Sequence, residues 1–411
     1  MFRNDDIAVG RAFLNDKIPV FFIASMFFSF HINIFRVDHI LIYTAFLFSL
    51  FGVCVGRLRL TCSVINWFRI VAAIVFLTIG LLSSLSNIAV GHDGTAFLAQ
   101  LENYVQLLVT LFFLAFIVKR LTREVCKNCC DILIASLMVN AFFVLGDVTF
   151  DLKIFDIFHG GEVTERPEHV GITASDLASL GGRHTGVFGQ VFEAGYAYTL
   201  GLMLLTLNHR LDAGRLIRGF SWVAILYGGW MTGSKIFLIF AVGLGAYFLL
   251  RSVKRQLLTL AALTVSFVMF SALEFEVQFP WYASRLLDAQ PGDVVSVLTS
   301  GRFSADSSII SGMAALLQSG YYAGRGFGYL KTSDFALYEV LAIAGVLGVM
   351  VYLFLVLTLY SELFKVDIVA ALFFSLLLFM TSIAGPLVTA NKVGFFSIII
   401  PHLWVQQKRL I

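Results

Sequence analysis

Apolar runs long enough for a membrane-spanning helix, which takes about 20 residues with a range of about 17–25, recur from one end of this chain to the other. Twelve runs are predicted as helices: 18–35, 37–56, 69–90, 103–118, 132–149, 190–208, 219–233, 236–250, 257–273, 336–359, 368–384 and 394–407. The bilayer core offers no hydrogen bonds, so such segments must be helices or strands of a closed barrel. Their length and unbroken hydrophobicity exclude the barrel. No cleavable leader is expected, because the N-terminal stretch MFRNDDIAVGRAFLNDK stays polar for too long.

Between the runs lie short polar connections, with two exceptions. The stretches 150–189 and 274–335 are long, and structureless connections beyond about 12–15 residues are usually functional. Within the second, Ile309, Ile310, Met313, Leu316 and Leu317 recur at helical spacing. SADSSIISGMAALLQS therefore predicts a short amphipathic helix starting near Ser304, with Asp306 in its first turn. YYAGRGFGY follows, with glycines at 324, 326 and 328. No strand precedes it, so it is not a dinucleotide fingerprint. Its glycines permit tight backbone packing or the close approach of a ligand.

Composition agrees with a membrane protein. The 411 residues are 59% hydrophobic and 13% charged, against about 45–50% and about 25% for a soluble chain. The expectation is one all-α polytopic membrane domain over 1–411, with 150–189 and 274–335 as loops on one face. The 42 phenylalanines serve lipid contact and packing. If the N-terminus is cytoplasmic, most of the 29 lysines and arginines fall on the cytoplasmic side, although the other side has longer loops. The positive-inside rule then places both termini inside and both long loops outside. Cys62, Cys126, Cys129 and Cys130 fall in the cytoplasmic connections and Cys54 within a span. The outer loops have no cysteine, so no disulfide framework is expected there. CKNCC at 126–130 lacks the second pair that a zinc site needs.

The outer loops carry isolated arginines beside glycine: Arg183 in GGRHTGVFGQ (181–190) and Arg302 in TSGRFSADSS (299–308). Acids outnumber bases in both loops, so these arginines are local devices and not a general polyanion patch. A guanidinium is a rigid fork of donors suited to phosphate or diphosphate. The bland alternative, a headgroup anchor or helix cap, stays open. Glu193, Asp334 and Glu339 stand at the outer starts of spans, where an acid either serves as a base or meets the helix dipole. Lys235 either joins an anion site or snorkels.

RHTGVFGQ at 183–190 resembles the R-x-T-G-x-F motif of the O-antigen polymerase (Wzy) and O-antigen ligase superfamily. MTGSKIF at 231–237 resembles its T-x-S-R/K motif, TSGRFS at 299–304 its S-G-R motif, and GRGFGYLKTSDFALYEVLAIAGVLGV at 324–349 its G-x-G followed by a G-x-x-G span. The ligases place a histidine shortly after G-x-G. Asp334 stands there instead, which points to polymerase.

The resemblance implies a GT-C-like membrane glycosyltransferase of the bacterial inner membrane. It would join undecaprenyl-diphosphate-linked repeat units, as donor and acceptor, at the periplasmic face. Arg183, Arg302 and Asp334 would be catalytic. Arg325, Lys235, His184, Glu193 and Glu339 would bind substrate. No cofactor and no metal is expected, because the outer loops hold no Asp-x-Asp pair and no histidine cluster. Membrane lipid and a chain-length regulator are the other candidate partners; nucleic acid is not one. Two further readings remain: a ligase moving the glycan onto the lipid A core, and a flippase or transporter. A transporter calls for ionisable residues and breaks inside the spans, and the sequence suggests few of either.

Overall fold

The structure, a computed structural model, describes residues 19–28, 31–32, 35–54, 64–87, 94–116, 121–159, 183–207, 214–250, 307–319, 322–330, 335–384 and 391–409. These are almost entirely helical. Among the described residues the strand content is a two-residue antiparallel pair, β1 (His31–Ile32) and β2 (Phe35–Arg36), with His31 opposite Arg36. It falls inside the first predicted span, of which residues 19–27 are helical and His31–Ile32 and Phe35 are strand. Beyond it come α1 (Val37–Cys54), α2 (Val64–Ser86), α3 (Gly94–Phe116), α4 (Arg123–Phe150) and the short α5 (Ile154–His159). Then follow α6 (Val191–Leu207), α7 (Arg215–Met231) and α8 (Lys235–Leu250). The last are α9 (Ser308–Gln318), α10 (Ala336–Val366), α11 (Ile368–Ala384) and α12 (Asn391–Arg409). The predicted span 257–273 and most of both long loops lie outside the described residues.

Among the described residues four helices are long and apolar enough to cross a membrane: α2, α4, α10 and, within α3, Ala96–Ala115. The chain is thus a helical, multi-pass membrane protein. α6, α7, α8 and α11 are 16 or 17 residues long, about 25 Å at about 1.5 Å per residue, a little short of a bilayer core of about 30 Å. Large apolar side chains stand exposed along the helices, among them Phe48, Phe51, Phe142, Val242, Leu357 and Phe379. Others, such as Phe27, Phe188, Phe240 and Phe374, are buried, so phenylalanine serves both roles assigned to it from the sequence.

The chain divides into two compact units, Met1–Ser136 with Thr299–Ile411, and Leu137–Leu298. In the first, α10 packs along α2, α11 and α12, while α3 packs on α1, α2 and α12. In the second, α6 packs against α7 and α8. Every residue of α6 from Glu193 to Leu207 is buried, the mark of a helix that is apolar all round.

Several helices start earlier than the apolar runs, and this changes what they carry. α2 begins at Val64, so Arg69 is inside the helix and 1% exposed. Its guanidinium donates to Asn66 Oδ1 (2.7 Å) and to the carbonyl oxygens of Thr358 and Leu359, and lies 3.1 Å from His402 Nε2. α12 begins at Asn391, so it carries Lys392, whose buried Nζ donates to the Phe27 carbonyl (3.2 Å) at the end of the helical stretch 19–27. Both cations stand within the first two turns of their helices, away from the mid-span positions where charge was expected to be scarce. α4 begins at Arg123, so Cys126, Cys129 and Cys130 are buried helical residues and not part of a connection. α9 begins at Ser308, because the Ser307 hydroxyl caps it by accepting the Ile309 N–H (3.3 Å). No acid stands in the first turn of α9, where Asp306 was expected; Asp306 itself lies outside the described residues.

Candidate functional site

In the unit Leu137–Leu298, the stretch 183–190 is a tight turn leading into α6. Its shape has a specific cause. Asn140, inside the apolar face of α4 and fully buried, donates through Nδ2 to the Thr185 carbonyl (3.2 Å) and lies 3.0 Å from the Tyr198 hydroxyl. Its Oδ1 accepts the Val187 N–H (2.8 Å). The chain bends around this amide at Gly186, where φ is +62° and a Cβ would run into Asn140. Only glycine meets both demands cheaply. A polar amide in the middle of a span needs such partners, and here the partners are the backbone of the motif itself.

The same turn is fastened at a second point. The His184 N–H donates to the Met231 carbonyl (2.9 Å) at the end of α7. Met231 opens the MTGSKIF stretch, which closes on itself: Thr232 Oγ1 donates to the Gly229 carbonyl (2.7 Å) and accepts the Ser234 N–H (3.1 Å). Gly195, in the first half of α6, lies directly against the Ser234 side chain. Two motifs more than forty residues apart in the sequence are thus in contact. Arg183 and His184 are half-buried at the start of the turn, Lys235 is half-buried at the start of α8, and Glu193 is buried in the first turn of α6.

Burial lowers the His184 pKa from its ordinary value, against the opposing pull of Asp147 and Asp151 near the end of α4. That end is an unusual corner. Asp151 and Lys153 both have positive φ, and Asp147 Oδ1 accepts the Ile154 N–H (2.9 Å) to start α5. His184, held toward its neutral form, and the adjacent Arg183 thus stand on a turn whose backbone is fastened to Asn140 and to Met231.

The other expected site residues fall in the first unit. Arg302 and Asp334 lie outside the described residues, as does Arg166. Arg325 and Glu339 are described. The glycines of 324–328 serve packing: this loop threads between α2, α3 and a break in α10. At Gly345 the helix departs from helical geometry (φ 62°, ψ −159°). The backbone groups released there are taken up by the loop. Arg325 N–H donates to the Ala342 carbonyl (2.7 Å), Gly326 N–H to Ile343 (3.0 Å), and Val346 N–H to Tyr322 (2.9 Å). On the other side Ser84 Oγ accepts the Phe327 N–H (2.7 Å), Gln100 Oε1 accepts the Gly328 N–H (2.7 Å), and Ser83 Oγ donates to the Ala323 carbonyl (2.6 Å). The Arg325 guanidinium sits 5.5 Å from the centre of the Tyr329 ring. Glu339, in the first turn of α10, is 3% exposed.

Sequence reasoning missed Asn140, Ser84 and Gln100, which hold the two motif loops. The signal for Asn140 was present, as a lone amide inside a predicted span. Gln100 escaped because α3 was expected to start three residues after it. Among the described residues no group of three His, Cys, Asp or Glu side chains is placed to hold a metal ion. No family model and no curated protein matches the chain.

Proposed function

We propose that this chain polymerises undecaprenyl-diphosphate-linked oligosaccharide repeat units into a surface polysaccharide, at the periplasmic face of a bacterial inner membrane. The reading takes both termini as cytoplasmic and about twelve spans. The observation that supports it best is the joining of two resembling motifs in one unit, RHTGVF clamped on Asn140 and tied to MTGSK through His184 and Met231. In this reading the acceptor hydroxyl of one repeat attacks the anomeric carbon of the growing chain, and undecaprenyl diphosphate leaves. Negative charge grows on the leaving diphosphate, so fixed cations lower the barrier more than they tighten substrate binding. Arg183 supplies such a cation on a turn that cannot drift. Arg302 is assigned the same role and Asp334 that of general base, on the sequence motifs alone. Arg325, Lys235, His184, Glu193 and Glu339 are assigned to substrate binding on the same resemblance. Glu193 and Glu339, being buried, fit support of the binding elements better than direct contact with a glycan.

The test is the glycan product of cells carrying each variant. Arg183→Ala should abolish the polymer ladder at unchanged protein level, a loss on the order of 10²–10³ in rate. Arg166→Ala, in the same loop without motif neighbours, should be milder. Arg302→Lys keeps charge and loses the bidentate fork, so single unpolymerised repeats should accumulate. Normal ladders from Arg302→Lys would reduce that arginine to a headgroup anchor. Transfer of glycan to a lipid A core acceptor would instead identify a ligase.

A transporter reading gains from one observation. α10 is broken at Gly345, and Arg69, Lys392 and His402 are buried within helices of the same unit, features that transporters use. The arms separate cleanly: purified protein in liposomes that elongates lipid-linked repeats is a polymerase, whereas one that moves them across the bilayer without elongation is a flippase.

A further inference from the structure

The unit Leu137–Leu298 carries two matching apolar stripes. One is Met138, Ala141, Phe142 and Leu145 on α4; the other is Phe220, Val223, Ala224 and Tyr227 on α7. Each follows the i, i+3, i+4, i+7 spacing of a single helix face and is about 10 Å long at about 1.5 Å per residue. Such faces ordinarily interdigitate. Here they enclose a groove of about 160 Å³. Ala141 and Ala224 are buried and form its floor, while Phe142, Leu145, Phe220 and Val223 stand exposed along its walls. Both helices rest on α6, where Gly201 lies against Leu137 of one and Ile225 of the other. They meet at one end of the groove: the Ser221 hydroxyl donates to Met138 Sδ (3.1 Å), and the Phe142 and Phe220 ring centres are 5.7 Å apart. The other end, at Leu145 and Tyr227, is one helical turn from Met231, whose carbonyl fastens the His184 turn.

Among the described residues no polar atom faces the groove, so it offers water no partner. A dry apolar cavity of about 150 Å³ takes a benzene-sized group instead, and an empty one forfeits the dispersion contacts of its walls. In a membrane the filler at hand is a hydrocarbon chain. The bilayer is as apolar as the groove, so packing alone selects no particular lipid; selection falls to the headgroup. The corner between α4 and α5 can make it. Asp151 and Lys153 are exposed on either side of Leu152, held by backbone with positive φ. Asp151 lies about 9 Å along the chain beyond Leu145, at about 1.5 Å per residue. One carboxylate and one ammonium complement the ammonium and phosphate of a zwitterionic headgroup.

We propose that the groove between α4 and α7 is a binding site for phosphatidylethanolamine from the surrounding bilayer. One acyl chain fills the groove, the phosphate meets Lys153, and the ammonium meets Asp151. The bound lipid completes the wall beside the end of α7 to which the His184 turn is fastened. No covalent bond changes. None of this rests on the polymerase reading, because lipid retention is read without any glycan.

The experiment is native mass spectrometry of the full chain, purified in mild detergent and offered equal amounts of phosphatidylethanolamine, phosphatidylglycerol and undecaprenyl phosphate. Wild type should retain one phosphatidylethanolamine, favoured about tenfold over phosphatidylglycerol. Val223 is 64% exposed, so Val223→Trp fills the groove from its wall and leaves the floor intact; it should lose that adduct. Asp151→Asn keeps a residue that tolerates positive φ and should level the two phospholipids. The proposal is overturned by any of four results: no retained lipid, equal retention of the two phospholipids by wild type, preferential retention of undecaprenyl phosphate, or an adduct that either variant leaves unchanged. If Val223→Trp does not accumulate, Leu145→Trp on the α4 wall decides in its place by the same reading.

Discussion

Asn140 shows how one side chain can set the form of a motif. Its amide is shared among Thr185, Val187 and Tyr198, and each such bond is worth about 1 kcal/mol net. Asn140→Leu keeps the volume and leaves the backbone of the turn unpaired, so it should cost about 2–4 kcal/mol, read as a lowered unfolding temperature in detergent. Arg183 would lose its fixed position as well, so polymer yield should fall in step. His184 gives a second residue-level expectation. Its folded pKa is lowered, so the unfolded chain takes up a proton first as pH falls through its ordinary value of about 6.5. The contribution of this residue is then flat above that pH, declines as pH drops through it, and levels off below the folded pKa. His184→Gln should remove that acid-side decline from a profile of unfolding temperature against pH. The residue types at the site were legible in the sequence, because arginine beside glycine in a greasy chain is conspicuous. Their supports were not, since Asn140, Ser84 and Gln100 act on backbone groups far away in the chain.

At the level of elements, the helices were legible because a bilayer-length apolar run has few alternative folds. Their starts were less so, since residues read as flanks stand inside helices: Arg69 is in the second turn of α2 and Cys126 in the first turn of α4. The break at Gly345 had a visible glycine but no visible cause, because its cause is the loop 322–330. That dependence is testable. Gly345→Ala places a Cβ against the Tyr322 carbonyl at a φ that L residues avoid, so it should destabilise by about 1–3 kcal/mol or more. Ser84→Ala strands the buried Phe327 N–H and should cost about 1–3 kcal/mol. Thermal unfolding of each single variant and of the double variant should show coupling, because both act on one loop. Additive effects would mean that the loop and the break are independent.

At the scale of the whole molecule, membrane character was plain from composition, whereas sidedness rests on the distribution of charge. Cysteine placed at Glu162 or Asp293 should react with a membrane-impermeant thiol reagent in intact spheroplasts. Native Cys126 is a poor internal control, because burial in α4 would silence it on either side. A cysteine at the exposed Lys365 is the better one, and it should label only after the membrane is opened. Labelling of Lys365→Cys from outside would invert the topology and remove every periplasmic role assigned to the loops. The division into two compact units was not legible, because apolar runs of similar length and composition do not reveal which helices share a core.

The partners of the glycine loop also fix an order of events during synthesis. Ser84 meets Phe327 across 243 residues, and Gln100 meets Gly328 across 228. A ribosome adding about 5–20 residues per second makes α2 and α3 roughly 10–50 s before the loop that completes them. Throughout that interval the nascent chain holds a hydroxyl and an amide whose final partners do not yet exist. The Ser84 hydroxyl can meanwhile donate to the Gly80 carbonyl of its own helix (2.8 Å), so the Gln100 amide is the group whose protein partners, the Gly328 N–H and the Leu330 carbonyl, arrive last.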